Sequence, residues 1–168
     1  MKTVIFLDVD GVINTSETKE KCCGYRGIDD EKVELLKRLI DGVEGEIVLS
    51  STWREERNKK SELGKYLDDK LVKYGLHIAD QTPIIQWHMR GLEIIEWLRE
   101  HRDVEYIVIL DDENFGYEHY GLKPYWINTQ DANEWCRSWP GLTERDVEFV
   151  TDNIGCFNLA PAILEERE

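Results

Sequence analysis

Three stretches of the chain place acids or hydroxyls directly after an apolar run. Asp8 and Asp10 close the run Val4-Ile5-Phe6-Leu7 as Asp8-Val9-Asp10-Gly11, Ser50 and Ser51 follow Ile47-Val48-Leu49, and Asp111 and Asp112 follow Ile107-Val108-Ile109-Leu110. In the first pair one carboxylate can attack phosphorus while the other shuttles a proton. Two like charges held that close need a cation or a raised pKa, and Mg²⁺ supplies the cation. Gly11 lets the backbone turn sharply and present amides to an anion. A hydroxyl at a strand end, as at Ser50, can donate to a phosphoryl oxygen; a serine there also suits the start of a helix near Thr52. Adjacent acids after an apolar run are costly to bury without a metal or cation, whereas in a solvated turn they carry no such role. Arg90, just before an amphipathic segment, can neutralise a transferring phosphoryl group; taken alone, it reads as a solvated surface arginine.

The elements that must position these residues follow from the pattern. Residues 3–9, 46–50 and 105–110 are short, apolar and β-branched, which predicts buried strands, and 124–128 predicts a shorter fourth. Val33, Leu35, Leu36, Leu39 and Ile40 have helical spacing after Asp29-Asp30, so a helix is expected over 29–40, ended by Gly42 and Gly45. Residues 55–74 read as one or two solvated helices stopped by Gly75, with a turn at Gln81-Thr82-Pro83. Leu92, Ile95 and Leu98 share one face of a helix over 91–100, and Thr143-x-x-Asp146 predicts a capped helix over 143–150. Residues 14–28 are polar and read as a loop or small flap. Strands apolar on both faces and alternating with helices predict a mainly parallel sheet covered on both sides. In such sheets the site lies at the carboxyl ends of the strands, where the acids and serines fall.

The 168 residues are enough for one domain, expected over 1–168, and their net charge of −14 disfavours extended binding to a nucleic-acid backbone. The same charge suits a site that gathers a divalent cation. Cys22, Cys23, Cys136 and Cys156 form no C-x-x-C pair and are expected as reduced thiols. No apolar stretch approaches the roughly 20 residues of a membrane span, and the start reads as no signal peptide, so a cytoplasmic protein without a membrane partner is expected. His77, His88, His101 and His119 have no ligand spacing, although His88 is close enough to Arg90 to line a pocket. Trp53 with Arg54 offers an aromatic-plus-cation platform for a base, against the plainer reading of a packed tryptophan and a paired arginine. Trp87, Trp97, Trp126, Trp135 and Trp139 read as packing residues.

In order and spacing, Ile5 to Val12, Ile47 to Ser50, Arg90-Gly91 and Ile107 to Asp112 resemble the four motifs of the haloacid dehalogenase (HAD) superfamily of phosphohydrolases, over roughly residues 3–150. The segment Ser50-Ser51-Thr52-Trp53-Arg54 and Gly141-Leu142-Thr143 look similar to small HAD domains found alone or attached to RNA-repair enzymes. The resemblance implies an α/β, three-layer Rossmann-like fold and a Mg²⁺-dependent phosphatase working through an aspartyl-phosphate. Asp8 would be the nucleophile. Asp10 would protonate the leaving oxygen and then activate water, and Ser50 and Arg90 would hold the phosphoryl oxygens. Asp8, Asp10 through its backbone carbonyl, Asp111 and Asp112 would hold the metal, with Asp112 alternatively orienting Arg90. Ser51, Trp53 and Arg54 would face the substrate. The third motif usually holds lysine, which makes Lys70 and Lys73 alternatives to Arg90. With 14–28 as a short flap and 51–89 as a helical insertion, a capless or minimally capped enzyme is expected. Its open site would suit a phosphorylated small molecule or a 3′- or 5′-phosphorylated nucleic-acid end. A non-catalytic HAD-like binding domain is the competing reading, which the intact Asp8-x-Asp10 pair opposes. A receiver-type phospho-acceptor is opposed by the order of the motifs, since its acid pair would come early and a lone Asp later.

Overall fold

A computed structural model describes residues 2–85, 89–130 and 140–165. The roles expected of Trp87, His88, Trp135, Cys136 and Trp139 fall outside the described residues.

The first apolar run forms β1 (Thr3–Leu7), buried at every position, as an unbroken apolar strand requires. The flap segment contains a small antiparallel hairpin, β2 (Lys21–Cys22) and β3 (Tyr25–Arg26). Its turn residues Cys23 and Gly24 have φ of 53° and 81°, the left-handed backbone that a two-residue hairpin turn uses. Helix α1 (Asp30–Val43) buries Val33, Leu35, Leu36, Leu39 and Val43. It runs through Gly42 and stops at Glu44, which takes the left-handed conformation instead. Gly42 permits close helix packing: a Cβ there would lie 3.0 Å from the Thr151 side chain.

Strand β4 (Gly45–Leu49) follows, then α2 (Trp53–Asn58) and α3 (Glu62–Lys73), so the charged stretch is two helices. Strand β5 (Ile78–Gln81) was not expected from the sequence. Helix α4 (Arg90–Glu100), β6 (Tyr106–Asp111) and the short β7 (Trp126–Asn128) come next. Helix α5 (Glu144–Asp152) begins with the anticipated capping box, Thr143 with Asp146.

The sheet order is β5-β4-β1-β6-β7, and every pairing is parallel. From β1 the chain steps outward through β4 to β5, then crosses back through α4 to β6. Right-handed crossovers therefore put α1 to α3 on one face and α4 on the other, giving three layers. Phe6 of β1 meets Trp97 of α4 edge to face, with ring centroids 5.4 Å apart. The order reverses at β1, and the crevice at such a reversal is where open α/β sheets hold ligands. Among the described residues no helix is long and apolar enough to cross a membrane, and Cys22, Cys23 and Cys156 are free thiols.

Candidate active site

The registers of three strands are in step. Leu7 pairs with Leu49 on one side and with Leu110 on the other, so the next row across the sheet is Ser50, Asp8 and Asp111. The ladder extends into that row through Ser50 N–H to Leu7 O (2.8 Å), Asp8 N–H to Leu110 O (3.0 Å) and Thr129 N–H to Asp111 O (3.2 Å). Neighbouring strands are about 4.8 Å apart, and residues in one row project to the same side. The carboxylates and the serine are thus brought together by strand pairing before any loop contributes.

Arg90, the first residue of α4, enters this row from the side. Its Nη1 lies 3.0 Å from Asp8 Oδ2 and also bonds Asp111 Oδ2. Its guanidinium stacks over the Phe115 ring, 4.0 Å from the centroid, a cation–π contact. Burial works against the charge on Arg90, but Asp8 and Asp111 beside it raise its pKa overall. Asp111 is held further by the buried Tyr117, whose hydroxyl donates to Oδ2 at 2.7 Å, and by Glu113 N–H to Oδ1 at 3.0 Å. Desolvation and then the neighbouring Asp8 push Asp111 up to about 7. Asp8 is also raised by burial, against the pull of Arg90, the Ser51 hydroxyl and the Val9 amide.

Asp112 lies against Gly11. A Cβ built on Gly11 would be 2.3 Å from the Asp112 carboxyl carbon, and Gly11 has φ of 78°, so this position requires glycine for space as well as for backbone conformation. Burial, followed by Asp8, raises Asp112 to about 6. Oxygens of Asp8, Asp111 and Asp112 lie within 4.8 Å of one another. An all-oxygen set of buried carboxylates fits a hard divalent cation such as Mg²⁺. Burial is the largest cause of all three upward shifts, and for Asp111 and Asp112 the neighbouring Asp8 adds to it.

Asp10, two residues on, is exposed. Both its oxygens are nonetheless held: Asn14 Nδ2 donates to Oδ1 at 2.8 Å and the Trp53 indole Nε1 donates to Oδ2 at 2.9 Å. Asn14 is fully buried and also accepts from Gly11 N–H at 3.0 Å and donates to Gly27 O at 3.1 Å. It ties the acid-bearing loop to the base of the hairpin. Sequence reading missed Asn14, Phe115 and Tyr117; the one local hint was an amide side chain four residues after Asp10.

The remaining expected residues divide. Ser50 and Ser51 are buried. Ser50 Oγ has no hydrogen-bond partner, while Ser51 Oγ accepts from Trp53 N–H at 3.4 Å. Trp53 is only 5% exposed, so it offers no open face for stacking a base; its packing and its bond to Asp10 replace that expectation. Arg54 likewise does not face a substrate. It is buried and its guanidinium is used up on Ser51 O (2.7 Å), Thr82 O (3.1 Å), the Thr82 hydroxyl, Pro83 O (2.8 Å) and Glu93 Oε2 (2.8 Å). It fastens α2 to the turn after β5 and to α4, because a buried guanidinium must satisfy its donors. Lys70 and Lys73 do not enter the site. Lys70 pairs with Glu20 (2.8 Å) and Asp30 (2.9 Å), and Lys73 with Asp30 (3.4 Å). The cation opening α4 beside Asp8 is Arg90.

A parallel sheet whose strand ends converge a D-x-D-G pair, a serine, a helix-opening arginine and paired acids has the architecture of a HAD hydrolase domain. Residues 4–147 match the family described as the HAD domain in Swiss Army Knife RNA repair proteins, and the chain belongs to that family. No curated protein and no solved structure matches it.

Proposed function

We propose that the chain is a Mg²⁺-dependent phosphatase that hydrolyses a phosphate monoester through a phosphorylated Asp8. The observation that carries this reading is the unpartnered Ser50 hydroxyl, 1% exposed, in the same row as Asp8 and Asp111. A buried hydroxyl without a partner costs stability, and a phosphoryl oxygen would satisfy it. Asp8 attacks phosphorus, the ester P–O bond breaks, and the leaving oxygen takes a proton from Asp10. Asp10 then removes a proton from the water that attacks the phosphorylated Asp8. That step releases inorganic phosphate and returns both acids to their starting forms. Ser50 and Arg90 hold the phosphoryl oxygens during both steps. Asp8, Asp111 and Asp112, with the Asp10 carbonyl, would hold Mg²⁺, which when bound offsets the charge of carboxylates and phosphate.

The family's setting in RNA repair supports a 3′- or 5′-phosphorylated nucleic-acid end as substrate. The net charge of −14 favours recognition of the end over a long backbone track. The test is a panel of phosphate esters with Mg²⁺, comparing the wild type with Asp8→Asn. Turnover by the wild type and none by a folded Asp8→Asn is the expected result; near-wild-type activity in that variant would exclude covalent catalysis by Asp8.

A further inference from the structure

A cleft of about 340 Å³ opens between the β2–β3 hairpin and helix α2, and Asp10 is part of its wall. On the reading above, Asp10 hands its proton to the leaving-group oxygen, so the leaving group must extend from Asp10 into this cleft. Its volume is near the lower end of ligand sites, roughly 300–1,000 Å³, which suits one compact group and not a chain of them.

The lining narrows the chemistry. Tyr25, on β3, is 64% exposed and lines the cleft. Trp53 also lines the cleft but is only 5% exposed, so Tyr25 presents the more open aromatic face. Arg26 beside it adds planar donors suited to sugar hydroxyls or a base edge. Across from them, Glu55 and Glu56 of α2 also line the cleft. Both lie near Lys59, at 3.9 and 3.1 Å, so with Asp10 and Arg26 the cleft wall carries no excess of positive charge for a second phosphate, and a neutral group suits it better. The hairpin is also held in place. Gly27 N–H donates to Glu20 O at 2.8 Å, Lys70 binds the Glu20 carboxylate at 2.8 Å, Tyr66 donates its hydroxyl to Glu20, and Ile28 N–H donates to Tyr66 Oη at 3.0 Å. Although burial works against its charge, Glu20 and Asp30 raise the Lys70 pKa overall.

We infer that this cleft is the leaving-group subsite, that its occupant is a single nucleoside, and that Tyr25 selects it by stacking on the base. The inference rests on the phosphatase reading and deepens it. The substrate is then a nucleoside monophosphate, either free or as the phosphorylated terminus of a strand.

The test measures kcat/KM with Mg²⁺ on a nucleoside monophosphate, on a short oligonucleotide with a terminal phosphate, and on glycerol phosphate, which has no ring. Wild type, Tyr25→Ala and Tyr25→Phe are compared. Tyr25→Ala is expected to lower the ratio of nucleotide to glycerol phosphate kcat/KM by roughly 5- to 150-fold, the range for loss of one base–aromatic stack. Tyr25→Phe, which keeps the ring, is expected to restore it. The better of the two nucleotide substrates identifies the source, free or strand-terminal. Turnover of all three with a ratio that Tyr25→Ala leaves unmoved would overturn the nucleoside subsite alone. Failure of the wild type to turn over any of them would overturn the phosphatase reading and the subsite with it.

Discussion

Trp53→Phe separates positioning from stacking. The indole Nε1 donates to Asp10 Oδ2 at 2.9 Å, and Asn14 holds the other oxygen at 2.8 Å. Phenylalanine keeps an aromatic ring in a site that is 5% exposed but removes the donor. A hydrogen bond to a charged group contributes about 1.5–3 kcal/mol, which would be roughly 10- to 150-fold in rate if all of it were lost in the transition state. Because Asn14 still holds Oδ1, the lower end, about tenfold, is expected. The loss should depend on the leaving group. Glycerol phosphate departs as an alkoxide and needs the proton of Asp10, whereas p-nitrophenyl phosphate departs as a stable phenolate and needs it far less. The assay is therefore kcat/KM on both, with urea denaturation run alongside to score the packing change separately. A tenfold loss on glycerol phosphate with a smaller one on p-nitrophenyl phosphate supports Trp53 as a positioning residue for the acid. Equal losses on both, or no loss on glycerol phosphate, would refute it.

Other outcomes follow from the same geometry. Asp111 and Asp112, raised to about 7 and about 6, bind protons more tightly folded than unfolded. Their contribution to stability is complete below about pH 4 and is lost as pH rises through 6 and 7. Thermal melts in EDTA should therefore fall between pH 5 and pH 8, and Mg²⁺ should restore more at pH 8 than at pH 5; an equal increment at both would refute the metal assignment. Arg54→Ala leaves Glu93, 2% exposed, as an uncompensated buried charge, so urea denaturation should show a loss of about 3–5 kcal/mol. Replacing both partners, as in Arg54→Met with Glu93→Leu, should cost less than the single change.

The reaction site was legible because it is made of interruptions. An apolar run that stops at a polar residue marks both a strand and its carboxyl end, so Asp8, Ser50 and Asp111 could be placed at strand ends; that they share one row follows from the registers. Arg90, which alone reads as a surface arginine, was singled out only by the resemblance to the third HAD motif, with Lys70 and Lys73 as alternatives. The hairpin strands, at two residues each, are too short to carry a period. Strand β5 pairs through a polar sequence in which Asp80 is exposed; it is an edge strand, so one face never needed an apolar signal. Asp80 also accepts the Trp97 indole N–H at 2.8 Å, a partnership that spans the fold and has no local signature. Trp53 and Arg54 were misread for the same reason. Adjacency to Ser50-Ser51 suggested an open surface near the substrate, but α2 begins at Trp53 and buries both side chains, leaving Trp53 only 5% exposed at the edge of the cleft.

That inward turn changes how the acid of this site is supported. Asp10 is exposed, and an exposed carboxylate on a loop would ordinarily sample many orientations, which is costly for a group that must meet a leaving oxygen within hydrogen-bond reach. Here one oxygen is held from the loop's own residue Asn14 and the other from α2 through Trp53. Arg54, the next residue, fixes α2 in turn by its bonds to Thr82, Pro83 and Glu93. The bond to Glu93 reaches α4, and α4 opens with Arg90, which is bonded to Asp8. Asp8 and Asp10, the proposed nucleophile and proton donor, are therefore referenced to each other through one buried ion pair between two helices, in addition to the short segment after β1 that carries both. A change at Glu93, one turn along α4 from Arg90, is expected to disturb proton transfer and phosphoryl binding together. Residues flanking the motifs, and not only the motif acids, thereby set the precision of the site.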